Sequence, residues 1–382
     1  MHINFLNIHR LVSLSKEMKE IYLNRLLQSF SLILIGMFVP IHLMRIGYSL
    51  NQAILYLIML YGGMMIFIPF ASKISSKIGI KHTIAITFPA WLLYFYLLFS
   101  LKFPSPLFLL IGAIYGFANV VYWVPLNSDF SRNSHKMRLG AEFGILNAIP
   151  LLVGAFAPMI GAVVITFFGF DNLIAVVCIL LGVSLIPLFL TGDYKFNFGY
   201  SLKKMFDKKH LIFFKDFFMK GILFASNVIW PIYVFVSFGS KGVIDVGLAA
   251  TLGALGSMFF TLIIGRMSDK YSKMKLLKIG GLSNFFIWIL AIVFVSPLSI
   301  MILSFIKGFL FVLISLPMFV IACEQTNNRN NVEFMAFREF GLCIGRLSIL
   351  LIILFVALEI RFFVVFLLAA LASIYFFLSK IT

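Results

Sequence analysis

Residues 243–295 read VIDVGLAATLGALGSMFFTLIIGRMSDKYSKMKLLKIGGLSNFFIWILAIVFV. An apolar run from Val243 to Gly265 gives way to a basic stretch, and a second apolar run follows over residues 276–295. Each run has about the 20 residues that a helix needs to cross a bilayer. The lipid core offers no water to the backbone, so an unpaired run of this length must bond to itself as a helix. The alternation of apolar run and short charged or Gly/Pro turn continues along the whole chain.

Twelve spans are predicted, at residues 20–44, 52–72, 83–101, 105–127, 140–168, 172–191, 213–237, 243–265, 276–295, 298–322, 334–358 and 361–379. The chain has 382 residues, of which 62% are hydrophobic and only 12% charged, with 46 Phe. That charged fraction is about half the roughly 25% of soluble domains. A soluble enzyme and a disordered chain are both excluded. The longest loop, from Gly192 to about Leu211, divides the sequence. The expected organisation is a lead over residues 1–19, a six-helix bundle over 20–191, a central loop over 192–211 and a second six-helix bundle over 212–382. The lead lacks a long apolar region with a cleavage site, so no cleaved signal peptide is expected. Ile3 to Leu14 reads as an interfacial amphipathic helix or a frayed end. Cys178, Cys323 and Cys343 show no CxxC spacing, so neither a disulfide framework nor a zinc site is indicated, and no metal or other cofactor is expected.

The net charge of +17 comes from 31 Lys and Arg against 14 Asp and Glu. Of those 31, 23 fall at the N-terminus, at the C-terminus and around the turns after spans 2, 4, 6, 8 and 10; four, Arg45, Lys102, Lys241 and Arg361, lie on the other side. This asymmetry predicts a multi-pass protein of the cell membrane with both termini in the cytoplasm. It accounts for the charge by topology and by attraction to anionic lipid, without nucleic acid. The remaining four, Arg25, Lys220, Lys307 and Arg346, lie inside spans.

The halves match at a shift of about 191–197 residues. Val39-Pro40-Ile41-His42 answers Trp230-Pro231-Ile232-Tyr233, Val124-Pro125 answers Leu316-Pro317, and Glu142-Phe143-Gly144 answers Glu339-Phe340-Gly341. Three matches in order argue for a duplicated six-helix unit. Six is even, so the copies are parallel repeats about an axis along the membrane normal.

At the end of span 8 stands Gly265-Arg266-Met267-Ser268-Asp269-Lys270-Tyr271-Ser272-Lys273. A worn copy follows span 2, Ser72 to Lys81, which keeps Lys77 and Gly79 but has Ser76 where Asp is expected. These stretches resemble the loop signature of the major facilitator superfamily. Arg138 and Gly144 at the start of span 5 also fit. Gly144, Ala157-Pro158 and Gly161-Ala162 partly match a small-residue motif of its exporters, with Val153 breaking the middle. The resemblance implies an all-α membrane fold of two six-helix bundles, with spans 1, 4, 7 and 10 lining a central cavity and spans 3, 6, 9 and 12 facing lipid. It also implies that Glu142 and Glu339, with Asp269 and Arg338, pair around the basic signatures and hold one conformation. In the absence of such pairing, Glu142 and Glu339 simply suit the first turns of their helices.

The polar residues inside spans agree with such a cavity, since charge there is expensive and usually faces a cavity or a partner. Span 1 places Glu20, Asn24 and Gln28 on one face, plus Arg25. Span 4 carries Asn119, Tyr122, Trp123 and Asn127; span 7 carries Asp216, Lys220 and Asn227. Lys307 lies about ten residues past Pro297 and Arg346 about twelve past Phe334, so both are expected near the midplane. No acid lies at matching depth. Three readings of this pair stand side by side: an anion site for substrate; a structural role, with Lys307 deprotonated by burial or Arg346 paired with Glu339; and proton coupling through Lys307. Gln28, Asn119, Trp123, Asn227, Lys307 and Arg346 are the expected substrate contacts. Glu20, Arg25, Asp216 and Lys220 are the expected gating or coupling groups, with Asp216–Lys220 as a local pair or Arg25–Asp216 as a gate. Pro40 and Pro231 read as hinges or packing kinks. Trp123, Trp230 and Tyr233 suit substrate stacking or core packing.

The family's proton antiporters carry an Arg in span 4, where this chain reads Gly112-Ala113-Ile114-Tyr115-Gly116. Standard proton antiport is therefore not indicated. The expectation is a monomeric, non-enzymatic transporter of a small or amphipathic organic solute, an anionic group favoured, with or without a coupling proton or ion. A hydrophobic-compound exporter is the alternative. An intramembrane transferase would need clustered Asp or His, and none is present.

Overall fold

The computed structural model describes residues 16–133, 138–190, 200–238, 242–326 and 331–379. Ile3 to Leu14 and much of the central loop lie outside the described residues. Ten described helices are long and apolar enough to cross a membrane. Spans 5 and 11 complete the plan: span 5 is broken in two, and span 11, Asn331–Phe355, carries Glu333, Arg338, Glu339 and Arg346.

Both breaks in long spans have the same cause. Span 1 consists of Lys16–Ile35 and Phe38–Arg45, interrupted at Gly36 and Met37. Span 5 consists of Leu139–Gly154 and Ala157–Phe168, interrupted at Ala155 and Phe156. Pro40 and Pro158 each lack an N–H, and their rings crowd the carbonyls four residues earlier, those of Gly36 and Gly154. Pro231 sits inside the continuous helix Phe214–Phe238, so the two expected hinges are not equivalent.

Several spans run past the expected boundaries. Span 2 is Leu50–Ile78 and span 8 is Val243–Lys270. At 1.5 Å per residue these reach about 43 and 42 Å, well beyond a roughly 30 Å hydrocarbon core. The signature residues Lys77, Gly265, Asp269 and Lys270 therefore stand on helix ends, not in loops. Gly79 alone joins span 2 to span 3, Ile80–Ser100; its φ of 93° is one that favours glycine. Two short helical turns, Leu202–Met205 and Lys208–Leu211, lie within the central loop.

The packing repeats as the sequence does. Span 2 packs on span 4 (Leu107–Asn133) and span 8 on span 10 (Pro297–Glu324). Span 1 packs on span 6 (Phe170–Leu185), and span 7 (Phe214–Phe238) on span 12 (Arg361–Leu378). Span 4 also holds span 3, as span 10 holds span 9 (Lys273–Val293). Between halves, span 8 lies along span 5 and span 2 along span 11. Exchanging the halves maps each of these contacts on another, which is a pseudo-two-fold arrangement of two bundles.

Small residues set the closest approaches, as expected where helices pack in lipid. A Cβ on Gly116 would lie 2.2 Å from the Leu60 carbonyl oxygen, and one on Gly308 would lie 1.9 Å from that of Gly253. Gly116 and Gly308, like Leu60 and Gly253, are counterparts at the repeat shift.

Candidate functional site

Asp269, at the end of span 8, reaches across to the other half. Its carboxylate accepts from the backbone N–H groups of Gly140 and Ala141, each at 2.8 Å, in the first turn of span 5. An acid at a helix N-terminus satisfies free N–H groups and complements the dipole. Gly140 and Gly265 permit the approach: a Cβ on Gly140 would lie 2.5 Å from the Gly265 carbonyl oxygen. Ser76 stands at the counterpart place in span 2, and among the described residues its hydroxyl donates to Lys73 O in its own helix, 2.8 Å away. Among the described residues the cap is therefore one-sided. Arg338 is not the partner of Asp269; its guanidinium lies on Glu339, over the Phe319 ring. Lys77, Lys270 and Arg138 are exposed, and Glu142 is half-buried in the first turn of span 5.

The same end of the bundle is sealed by two more contacts between halves. The Ser131 and Thr326 hydroxyls share a hydrogen bond of 2.6 Å, and Phe143 stacks on Phe319 at 3.8 Å. Replacing Asp269 with Ala removes a capping group, for which about 0.5–2 kcal/mol is typical. A cysteine at Ser131 is then expected to react about 2- to 30-fold faster with a water-soluble maleimide. An unchanged rate would show that the cap does not hold the seal.

Deeper in, Arg346 of span 11 lies against both halves. Its Cζ is 5.0 Å from the Tyr61 ring centre and 4.2 Å from that of Phe224, and Nη1 lies 4.0 Å from Met64 Sδ. Tyr61 and Met64 belong to span 2. Its Nε has no hydrogen-bond partner. Lys220 of span 7 donates to the Ser315 carbonyl at 3.0 Å and lies within electrostatic reach of Arg338, Glu339 and Arg346. Glu339 is the carboxylate of that group and is engaged by Arg338, not by Arg346. Three buried cations thus share one acid.

Arg25 forms a second cationic point in the first half. Its Nη2 donates to Asn147 Oδ1 at 2.6 Å, and its Cζ lies 5.0 Å over the Trp123 ring. Nε and Nη1 of Arg25 and Nε2 of Gln28 are buried without partners. Asn24 donates to Ser184 O at 2.7 Å, and Glu20 is paired with Lys81 at 2.6 Å at the start of span 3. Asp216 accepts from the Tyr375 hydroxyl at 2.9 Å. Neither the Arg25–Asp216 gate nor the Asp216–Lys220 pair occurs among the described residues. Asp216 turns toward span 12, Lys220 toward span 10 and Arg25 toward spans 4 and 5.

Lys307 departs furthest from expectation. Its Nζ sits 3.5 Å from the Trp230 ring centre and 3.6 Å from that of Trp288, with no hydrogen-bond partner. Trp230 Nε1 donates to Ser304 Oγ at 2.9 Å, and both indoles pack on Phe366. These groups belong to spans 7, 9, 10 and 12. Lys307 therefore points into the second bundle, between two π faces that favour a cation. It is set apart from Arg346. Asn119 and Asn227 are half-buried; Asn227 donates to Leu223 O of its own helix.

Sequence reasoning missed Asn147, Tyr61, Met64 and Phe224. Asn147, a polar residue within an apolar run, was a usable signal. The other three look like any apolar side chain. Among the described residues no three His, Cys, Asp or Glu side chains converge as metal donors.

A family model described as Major Facilitator Superfamily matches residues 21–240, more than half of the chain. The chain belongs to the major facilitator superfamily. It is therefore a multi-pass membrane protein of a transporter family. No match is found among curated protein sequences. Solved structures share the fold at low identity. A bacterial homologue of the iron transporter ferroportin, in an outward-facing state, is 15% identical, with 95% of this chain and 98% of that chain covered and a TM-score of 0.68. The fucose:proton symporter of E. coli is 12% identical, with 95% and 98% covered and a TM-score of 0.69. The human organic anion transporter MFSD10 is 10% identical, with 94% and 99% covered and a TM-score of 0.71.

Proposed function

We propose that this member of the superfamily carries a small amphipathic organic anion by alternating access. The bundle over residues 20–191 rocks against that over 212–382, with 192–211 as the link and both termini in the cytoplasm. The carrying observation is the excess of buried donors over acceptors at Arg346 and Lys220. A buried cation without a counter-ion is costly, and an anionic ligand relieves that cost. Tyr61, Met64 and Phe224 around Arg346 suit an apolar body attached to the charged group. The fold is one that a human organic anion transporter also uses. Binding drives the cycle by favouring one conformation, or the passage between them, over the other.

Export of uncharged hydrophobic compounds is the second reading, and the same aromatic and Met side chains favour it. Uptake into proteoliposomes separates the two, using matched carboxylates and their neutral amides, with and without a pH gradient. Carboxylates are expected to be carried or to compete, and their amides to fail. Equal handling of both would overturn the anion reading while keeping the transporter. Dependence on the pH gradient would assign proton coupling.

A further inference from the structure

The segment between the bundles has an unusual surface. Lys203, Lys204, Lys208 and Lys209 are all exposed, and so are Leu202, Phe206, Leu211 and Ile212; Ile212 is 63% exposed. The one acid in this stretch, Asp207, accepts from the Lys209 backbone N–H and caps the second helical turn. Four cations and four large apolar side chains thus share eleven residues that end directly at span 7.

This segment is also pinned. Met205 and His210 are buried, and His210 Nδ1 donates to the Met205 carbonyl at 2.9 Å. The His210 ring meets Phe334 at 5.0 Å, and Phe206 meets Phe340 at 5.1 Å. The Ser201 N–H donates to Glu333 Oε1 at 3.4 Å. Glu333, Phe334 and Phe340 belong to the first three turns of span 11, the helix that also carries Arg338, Glu339 and Arg346.

We propose that residues 202–212 form a docking surface for anionic phospholipid headgroups of the surrounding membrane, tied through His210 and Phe206 to span 11. Span 7 begins at Phe214, so Leu211 and Ile212 enter at the level where headgroups meet acyl chains. Basic residues mixed with exposed apolar ones suit that layer, where apolar side chains insert and lysines meet phosphate. A soluble acidic partner would leave the four apolar side chains unused. Each lysine near an anionic surface is worth about fivefold in partition.

The test uses the full chain with Cys178 replaced by Ala and a nitroxide on Leu202→Cys. It is placed in vesicles of phosphatidylcholine, with and without phosphatidylglycerol. A label on Ile352→Cys, lipid-facing in span 11, reports correct insertion. With phosphatidylglycerol, collisions of the Leu202 label with oxygen are expected to rise relative to those with an aqueous nickel complex. The change is expected to disappear in Lys203→Gln/Lys204→Gln/Lys208→Gln/Lys209→Gln and at high salt. Equal immersion in both vesicle types, or a response retained by the quadruple variant, would overturn the proposal. The readout does not depend on transport, so it stands apart from the substrate reading.

Discussion

Replacing Arg346 with Met is expected to raise the KM for an anionic solute roughly 10- to 150-fold, the loss of one charge-assisted hydrogen bond worth about 1.5–3 kcal/mol. The unusual part of this expectation lies in stability. Arg346 is 5% exposed, its Nε has no partner, and the nearby carboxylate is held by Arg338. Exchanging a whole buried ion pair for apolar side chains of similar volume is often neutral or stabilising. The penalty for breaking a pair does not arise here, because Glu339 is held by Arg338. The two aromatic faces recover part of the cost, about 1–2 kcal/mol. Arg346→Met should therefore unfold at or above the wild-type temperature while losing its anion. Function and stability trade against each other at such sites. Lys220→Met should act in the same direction. Lys307→Met is the control: its Nζ lies between Trp230 and Trp288, so the KM should stay at the wild-type value. Flux assays and thermal unfolding of the three purified variants check the set. An unchanged KM in Arg346→Met, or a raised one in Lys307→Met, would reverse the assignment of the two cations.

The contrast between these cations marks where sequence reading ends. Depth in a membrane is a count of residues along a helix axis, so Lys307 and Arg346 were both legible as deep charges. Direction is a rotation about that axis, and it is legible only where one face differs from the rest. Span 10 is apolar nearly all round, because lipid and protein core are equally apolar surroundings. Nothing in its sequence says which way residue 307 turns. The succession of spans was legible for the opposite reason: apolar runs and polar turns alternate in one dimension. The pairing of Glu339 with Arg338 was hidden because adjacent residues do not normally face each other on a helix. The cap by Asp269 was half legible. Its signature was plain, but its partner is backbone N–H, which no side-chain code announces. The glycines that set helix spacing were also silent, since a lone Gly in an apolar run reads as a small residue until its neighbour is known.

Those glycines give the largest expected effect on folding. A Cβ on Gly308 would lie 1.9 Å from the Gly253 carbonyl oxygen, and one on Gly345 would lie 2.0 Å from that of Phe218. Both obstacles are backbone, so no rotamer change relieves them; spans 10 and 8, or 11 and 7, must move apart. Interior packing is tight, and overpacking costs about 1–3 kcal/mol, occasionally more. Here one added side chain separates a helix pair along its length, so the upper end of that range applies. Marginal stability of about 5–15 kcal/mol leaves little reserve. Gly308→Val and Gly345→Val are expected to lose monodisperse, folded protein on extraction, or to show a strongly lowered unfolding temperature. Gly116→Val should behave like Gly308→Val, because it takes the same place in the other bundle. Gly62 supplies the comparison: a Cβ there meets nothing within 4 Å. Gly62→Ala should be tolerated and should gain about 0.5–1 kcal/mol, the ordinary benefit of Ala over Gly in a helix. If Gly308→Val unfolded at the same temperature as Gly62→Ala, the close approach of spans 8 and 10 could not be what holds the second bundle together.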